Sequence, residues 1–91
     1  MISFIKGKII IKQPTNLVVE VNGIGYNINI AISTYDAIGK INDEVCILTY
    51  LYVKEDILSL YGFATEEERN LFKQLISISG IGPRTSLNIL S

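Results

Sequence analysis

The 91 residues carry 8 basic and 9 acidic side chains, for a net charge of −1, and no histidine. A chain this short supports one small core with an appendage, not two full domains, and its 48% hydrophobic content separates it from disordered sequences. The balanced charge excludes the domain-wide basic footprint of a lone DNA-binding module, and the lack of imidazole removes the commonest general base and metal ligand. Cys46, the single cysteine, falls in the apolar run Val45 to Val53 and is expected to be an inert core residue with no disulfide partner. Lysines interrupt the N-terminus at Lys6 and Lys8, too early for a signal-peptide apolar region, and no stretch approaches the ~20 apolar residues of a membrane span. The expected compartment is the cytoplasm, with no membrane partner.

Up to Phe63 the pattern is strand-like. Ile2 to Ile11, Asn16 to Asn22 and Tyr26 to Ile32 are rich in β-branched residues and are separated by turn signals at Pro14-Thr15-Asn16 and Asn22-Gly23-Ile24-Gly25. Ser33-Thr34-Tyr35-Asp36 resembles a capping box that opens a short helix, with Gly39 able to close it. Val45 to Val53 and Ile57 to Phe63 follow as two further strands. Five strands with a short helix between the third and fourth predict a small Greek-key barrel of the OB type, which would remove exposed sheet edges; a five-stranded sandwich is the alternative.

After Phe63 the apolar period changes to about 3.6. Thr65-Glu66-Glu67-Glu68 is a capping box with Thr65 as N-cap, and three glutamates sit where the helix dipole favours negative charge. Leu71, Phe72, Leu75 and Ile76 form one apolar stripe, and this helix is expected to run to about Ser79. A second stripe begins with Leu87 and Leu90 on a helix of barely two turns, so residues 64–91 read as the start of a longer helical region appended to a 1–63 barrel domain. The fold class is therefore mainly β with C-terminal α.

Between these helices stands Gly80-Ile81-Gly82-Pro83-Arg84-Thr85. Gly80 suits the left-handed conformation that ends a helix, Ile81 can anchor the turn inward, and Pro83 fits a first helical position because it has no N–H to leave unpaired. The N–H groups of Gly82, Arg84 and Thr85 would face an anion at a helix N-terminus, beside the Arg84 charge. That arrangement is a helix-hairpin-helix turn, which holds a phosphate backbone without reading bases. A plain helix-helix connection, with glycine for geometry alone, is the competing explanation.

Lys54-Glu55-Asp56 lies where a tight hairpin joins the last two strands. Glu55 and Asp56 are either an ordinary solvated turn or a device that repels a DNA strand. At ~6 Å and an effective dielectric near ~20, one carboxylate repels one phosphate by roughly 3 kcal/mol. Enzyme chemistry is poorly supported. Glu55-Asp56 and Asp43-Glu44 are neighbouring pairs, and neighbours in an extended chain point apart, which makes them poor metal ligands. A bare OB module binding single strands would need aromatic platforms, for which Tyr26, Tyr50 and Tyr52 are available, although tyrosines in such runs commonly serve cores or interfaces.

Nearly the whole chain resembles the N-terminal part of the RuvA family, the Holliday-junction-binding subunits of the bacterial branch-migration complex. The resemblance rests on Met1-Ile2 with Lys6-Gly7, Val19-Glu20-Val21 with Gly23-Ile24-Gly25-Tyr26, Lys54-Glu55-Asp56 with Leu60-Tyr61-Gly62-Phe63, and Glu68-Arg69 with Leu71-Phe72-Lys73 before Gly80-Ile81-Gly82-Pro83. It implies an OB barrel followed by helix-hairpin-helix elements, and a non-catalytic scaffold without cofactor that holds a four-way DNA junction open. It also implies a homotetramer, or an octamer on DNA, with Glu55 and Asp56 as an acidic pin at the crossover. A RuvB-type motor would be contacted through a domain beyond these residues. The alternative from the residues alone remains an OB module that binds single-stranded nucleic acid or another protein.

Overall fold

The computed structural model describes residues 2–78 and 80–91. Five strands, β1 (Phe4–Lys12), β2 (Asn16–Val21), β3 (Ile24–Ile30), β4 (Glu44–Lys54) and β5 (Ile57–Phe63), close into a barrel in the order β1-β2-β3-β5-β4. All neighbours are antiparallel except β3 and β5, which run parallel through Ile28–Leu60, Asn29–Tyr61 and Ile30–Gly62. The short helix α1 (Ile32–Ala37) lies between β3 and β4 in sequence, the element order expected of an OB-type barrel.

Alternation along the strands fills the barrel. Ile5 and Ile9 of β1, Leu17 and Val19 of β2, Ile28 and Ile30 of β3 and Ile47 of β4 form one buried cluster. The register of β1 shifts between Ile9 and Ile11, a bulge that leaves Ile10 and Ile11 both exposed, so only the first of three consecutive isoleucines is core. The β2–β3 turn places Asn22 at φ 51° and Gly23 at φ 87°, the left-handed pair of a two-residue hairpin whose twist matches its strands. Gly62 admits close approach inside the barrel: an added Cβ would sit 2.6 Å from Ile28 Cγ2 and 3.0 Å from Ile47 Cγ1.

Two helices follow, α2 (Glu66–Ile76) and α3 (Pro83–Leu90). Phe72 of α2 and Leu87 of α3 join Ala31, Tyr61 and Phe63 in a second buried cluster, flanked by Tyr50, Tyr52, Ile76 and Leu90. Phe72 meets Phe63 at a centroid distance of 5.0 Å and Tyr61 at 5.2 Å, and Tyr50 edge-on at 5.8 Å, so the helices are seated on an aromatic ledge of β4 and β5. Arg69 fastens the same contact with its guanidinium. Nη1 donates to the carbonyls of Ser3 at 2.8 Å and Thr49 at 3.3 Å, and Nη2 reaches Glu66 at 3.5 Å.

Several expectations need correction. The capping box at Ser33 does not form. The helix opens two residues earlier with Ala31 as N-cap, and the Ser33 hydroxyl is turned to α2. Gly39 does not close that helix; Ile38 is its extended C-cap, and the lack of a side chain at Gly39 leaves room for Asp43, whose carboxylate accepts the Lys40 N–H at 2.9 Å. Cys46 is exposed, because it pairs with Lys6 on the outward face of β1 and β4 while its neighbour Ile47 points inward. Leu71 is also exposed, since the barrel covers only the Phe72 side of α2. That helix ends at Ile76, earlier than expected, and its expected last residue, Ser79, lies outside the described residues.

Candidate nucleic-acid interface

The N-terminus of α3 is open. Gly82 is its N-cap at φ −89°, without a side-chain cap, and Pro83 occupies the first turn. The first helical bond runs from Ser86 N–H to the Gly82 carbonyl at 3.0 Å, and the buried Ser86 hydroxyl donates to the same oxygen at 3.0 Å. Among the described residues, the N–H groups of Gly82, Arg84 and Thr85 have no backbone partner. Helix N-terminal donors without a partner among the described residues, with an exposed Arg84 and Thr85 beside them, can receive an anion.

The connection before that helix is built from tight turns. Ser77 N–H donates to the Gln74 carbonyl at 3.2 Å, Ile78 N–H to Leu75 at 3.1 Å, and Ile81 N–H to Ile78 at 3.2 Å. Gly80 takes φ 87°, the left-handed conformation for which glycine was expected there. Ile81 is half-buried. At Gly82 neither backbone nor packing requires glycine, since a Cβ would meet nothing within 4 Å and φ is ordinary. The free space at Gly82 faces outward, which is where a backbone-contacting ligand would approach.

Glu55 and Asp56 form the two-residue tip between Lys54 and Ile57, with both residues exposed and neither in the left-handed region. No salt bridge holds either carboxylate among the described residues. The flanks are unusual for a solvated turn: Val53 is 60% exposed, Ile57 49% and Leu58 74%. The base of this hairpin abuts the α2–α3 turn, where Tyr52 and Lys54 face Ile76, Gly80, Ile81 and Gly82 across a groove of about 450 Å³. The glycine turn and the base of the acidic tip are therefore brought together, although they are distant in sequence.

Sequence reasoning missed residues that seat the helices on the barrel. Arg69 gave no periodic or motif signal for its role, because its acceptors are main-chain carbonyls of β1 and β4. Tyr61, beneath the turn, has its hydroxyl pushed above the ordinary value of 10.0, chiefly by burial; the Arg84 charge pulls it partly back and Tyr52 adds to the rise. Of the three tyrosines considered as stacking platforms, Tyr26 packs against the barrel core and Tyr50 against Phe72, whereas Tyr52 meets Tyr61 edge-on at 6.2 Å and still lines the groove. Among the described residues no three His, Cys, Asp or Glu side chains converge as a metal site, and no helix is long and apolar enough to cross a membrane.

A closed five-stranded barrel of the OB type followed by two helices joined through a glycine turn defines the class of protein. Residues 1–62 match the model of the RuvA N terminal domain, and the chain belongs to that family. All 91 residues align at 52% identity with a Holliday junction branch migration complex subunit RuvA of Chloroherpeton thalassium, covering 46% of that protein. The same coverage of this chain holds for proteins of that name from Acetivibrio thermocellus, at 50% identity over 45% of the relative, and Amoebophilus asiaticus, at 48% over 47%. The chain thus spans about half the length of the curated relatives it matches.

Proposed function

We propose that this chain is the junction-facing part of a RuvA-type subunit, a non-catalytic scaffold in DNA recombination and repair. The observation that carries this reading is the N-terminus of α3, where the Arg84 and Thr85 donors, and that of Gly82, have no partner among the described residues and a Cβ at Gly82 would meet open space. Gly80, Ile81, Gly82, Arg84 and Thr85 receive the phosphate backbone, which fixes position without base readout. Glu55 and Asp56 act as the acidic pin that turns strands away from the crossover. Residues 1–63 form the barrel domain and 64–91 the helix-hairpin-helix unit.

The partners in this reading are a four-way DNA junction, further copies of the chain as a tetramer or an octamer on DNA, and a RuvB-type motor that supplies ATP hydrolysis. Assembly follows from charge. One copy has one hairpin and a net charge of −1, which leaves a monomer little attraction for DNA. The test compares two variants of opposite sign on four-way, duplex and single-stranded substrates. Arg84→Ala should weaken binding to all branched and duplex substrates alike. Glu55→Gln with Asp56→Asn should tighten duplex binding and lower the preference for the junction. Preference for single strands, or a junction-to-duplex ratio untouched by the Glu55 and Asp56 changes, would overturn the reading.

A further inference from the structure

We infer that the groove between β4 and the α2–α3 turn is a nucleotide subsite, in which Tyr52 stacks on an unpaired base at the branch point and Lys54 meets the adjoining phosphate. The inference rests on the junction reading above and names what lies between the hairpin and the acidic tip.

Its walls differ in chemistry in the way a nucleotide does. The volume, about 450 Å³, falls within the range of small-molecule sites. Tyr52 supplies an aromatic wall, held edge-on against Tyr61 at 6.2 Å, so the ring is braced before any ligand arrives. Ile76 and Ile81 add apolar surface, while exposed Lys54 sets a positive charge at the rim. The opposite wall includes Gly80 and Gly82, where added Cβ atoms would meet nothing within 4 Å, so at these two positions the turn leaves the space open. A base needs a π-face to lie on and its phosphate needs a cation or N–H donors, and these two requirements are met on neighbouring surfaces.

Position determines which nucleotide is taken. Tyr52 and Lys54 directly precede the Glu55-Asp56 tip on β4, and the groove ends at the hairpin glycines. A duplex arm held by the α3 N-terminus keeps its bases stacked inside the helix, out of reach of the ring. Only a strand leaving that arm near the acidic tip has a base free to leave its stack, so the subsite selects branched over continuous DNA.

The experiment uses the chain bound to a four-way junction carrying 5-iodouracil either at the branch point or within an arm, with binding followed by anisotropy of a dye on a distal arm. Irradiation of the bound complex should give an adduct mapped to Tyr52 by peptide mass spectrometry for the branch-point label and not for the arm label. Tyr52→Phe should keep the adduct site. Tyr52→Leu should lose it and weaken junction binding roughly fivefold or more, with duplex binding unchanged. A bound complex without the Tyr52 adduct, or equal junction affinity for Tyr52→Leu and the parent chain, would overturn the subsite while leaving the hairpin reading intact. No anisotropy change with any junction would overturn both.

Discussion

The Ser33 hydroxyl donates a 2.9 Å hydrogen bond to Glu68 Oε2, tying the helix inside the barrel sequence to the helix that follows it. Glu68 is also the residue whose N–H the Thr65 hydroxyl accepts at 3.2 Å, so one residue both receives the N-cap and clamps α1. A half-buried charge-assisted bond of this kind contributes about 1 kcal/mol or somewhat more. Glu68→Ala should therefore lower the melting temperature by ~4–8 °C for a domain of this size. Ser33→Ala should cost less, and the double variant should fall short of the sum. Strict additivity in a thermal double-mutant cycle would show that the two side chains do not interact.

Arg69 gives the second prediction. Its guanidinium spans the Ser3 and Thr49 carbonyls at 2.8 and 3.3 Å while its own helix supplies Glu66. Lysine carries the charge but lacks the planar fork, so Arg69→Lys should recover only part of what Arg69→Met loses, about 2 kcal/mol. Urea unfolding would show this as a lower midpoint at unchanged slope. Equal midpoints for the three proteins would mean that aromatic packing alone seats α2.

The barrel was legible because β-branched alternation and turn residues are local signals; strands β4 and β5 fell within one residue of their expected ends. Where local signals competed, reading them failed. Ser33 is a good N-cap by type, but the chain entering from β3 already turns at Ala31, and the hydroxyl is more useful across 35 residues of sequence to Glu68. Cys46 looked apolar by neighbourhood, yet the strand period puts it outward beside Lys6. Gly80 was legible, because a glycine between two apolar helical stripes suits a left-handed helix end. The approach of Tyr52 and Lys54 to that turn was not, since it depends on how α2 lies on the aromatic ledge.

Tyr61 makes the fold sensitive to alkali. Burial holds its hydroxyl above 10.0, against the opposing charge of Arg84. The unfolded chain therefore releases this proton first, so the stabilisation is complete below about pH 10 and is lost as pH rises through the higher folded value. Thermal melts from about pH 8 to about pH 11 should show that fall, and Tyr61→Phe should flatten it. Arg84→Ala removes the charge that favours phenolate, so phenolate absorbance should then appear at still higher pH. An unchanged titration in Arg84→Ala would separate the two side chains electrostatically.

Gly82 and Gly80 should part company when each is changed to alanine. Gly80→Ala forces a side chain onto φ 87° and should cost about 1–2 kcal/mol of stability. Gly82→Ala meets open space at an ordinary φ, and restricting the unfolded chain should leave stability level or raise it by about 0.4–1 kcal/mol. If Gly82 is glycine for the sake of a phosphate rather than the fold, the same change places a methyl group where the DNA backbone approaches the uncapped N–H groups. Junction and duplex affinities should then fall together while the melting temperature holds. A Gly82→Ala protein that keeps both its stability and its DNA affinity would show that the turn connects two helices and does nothing more.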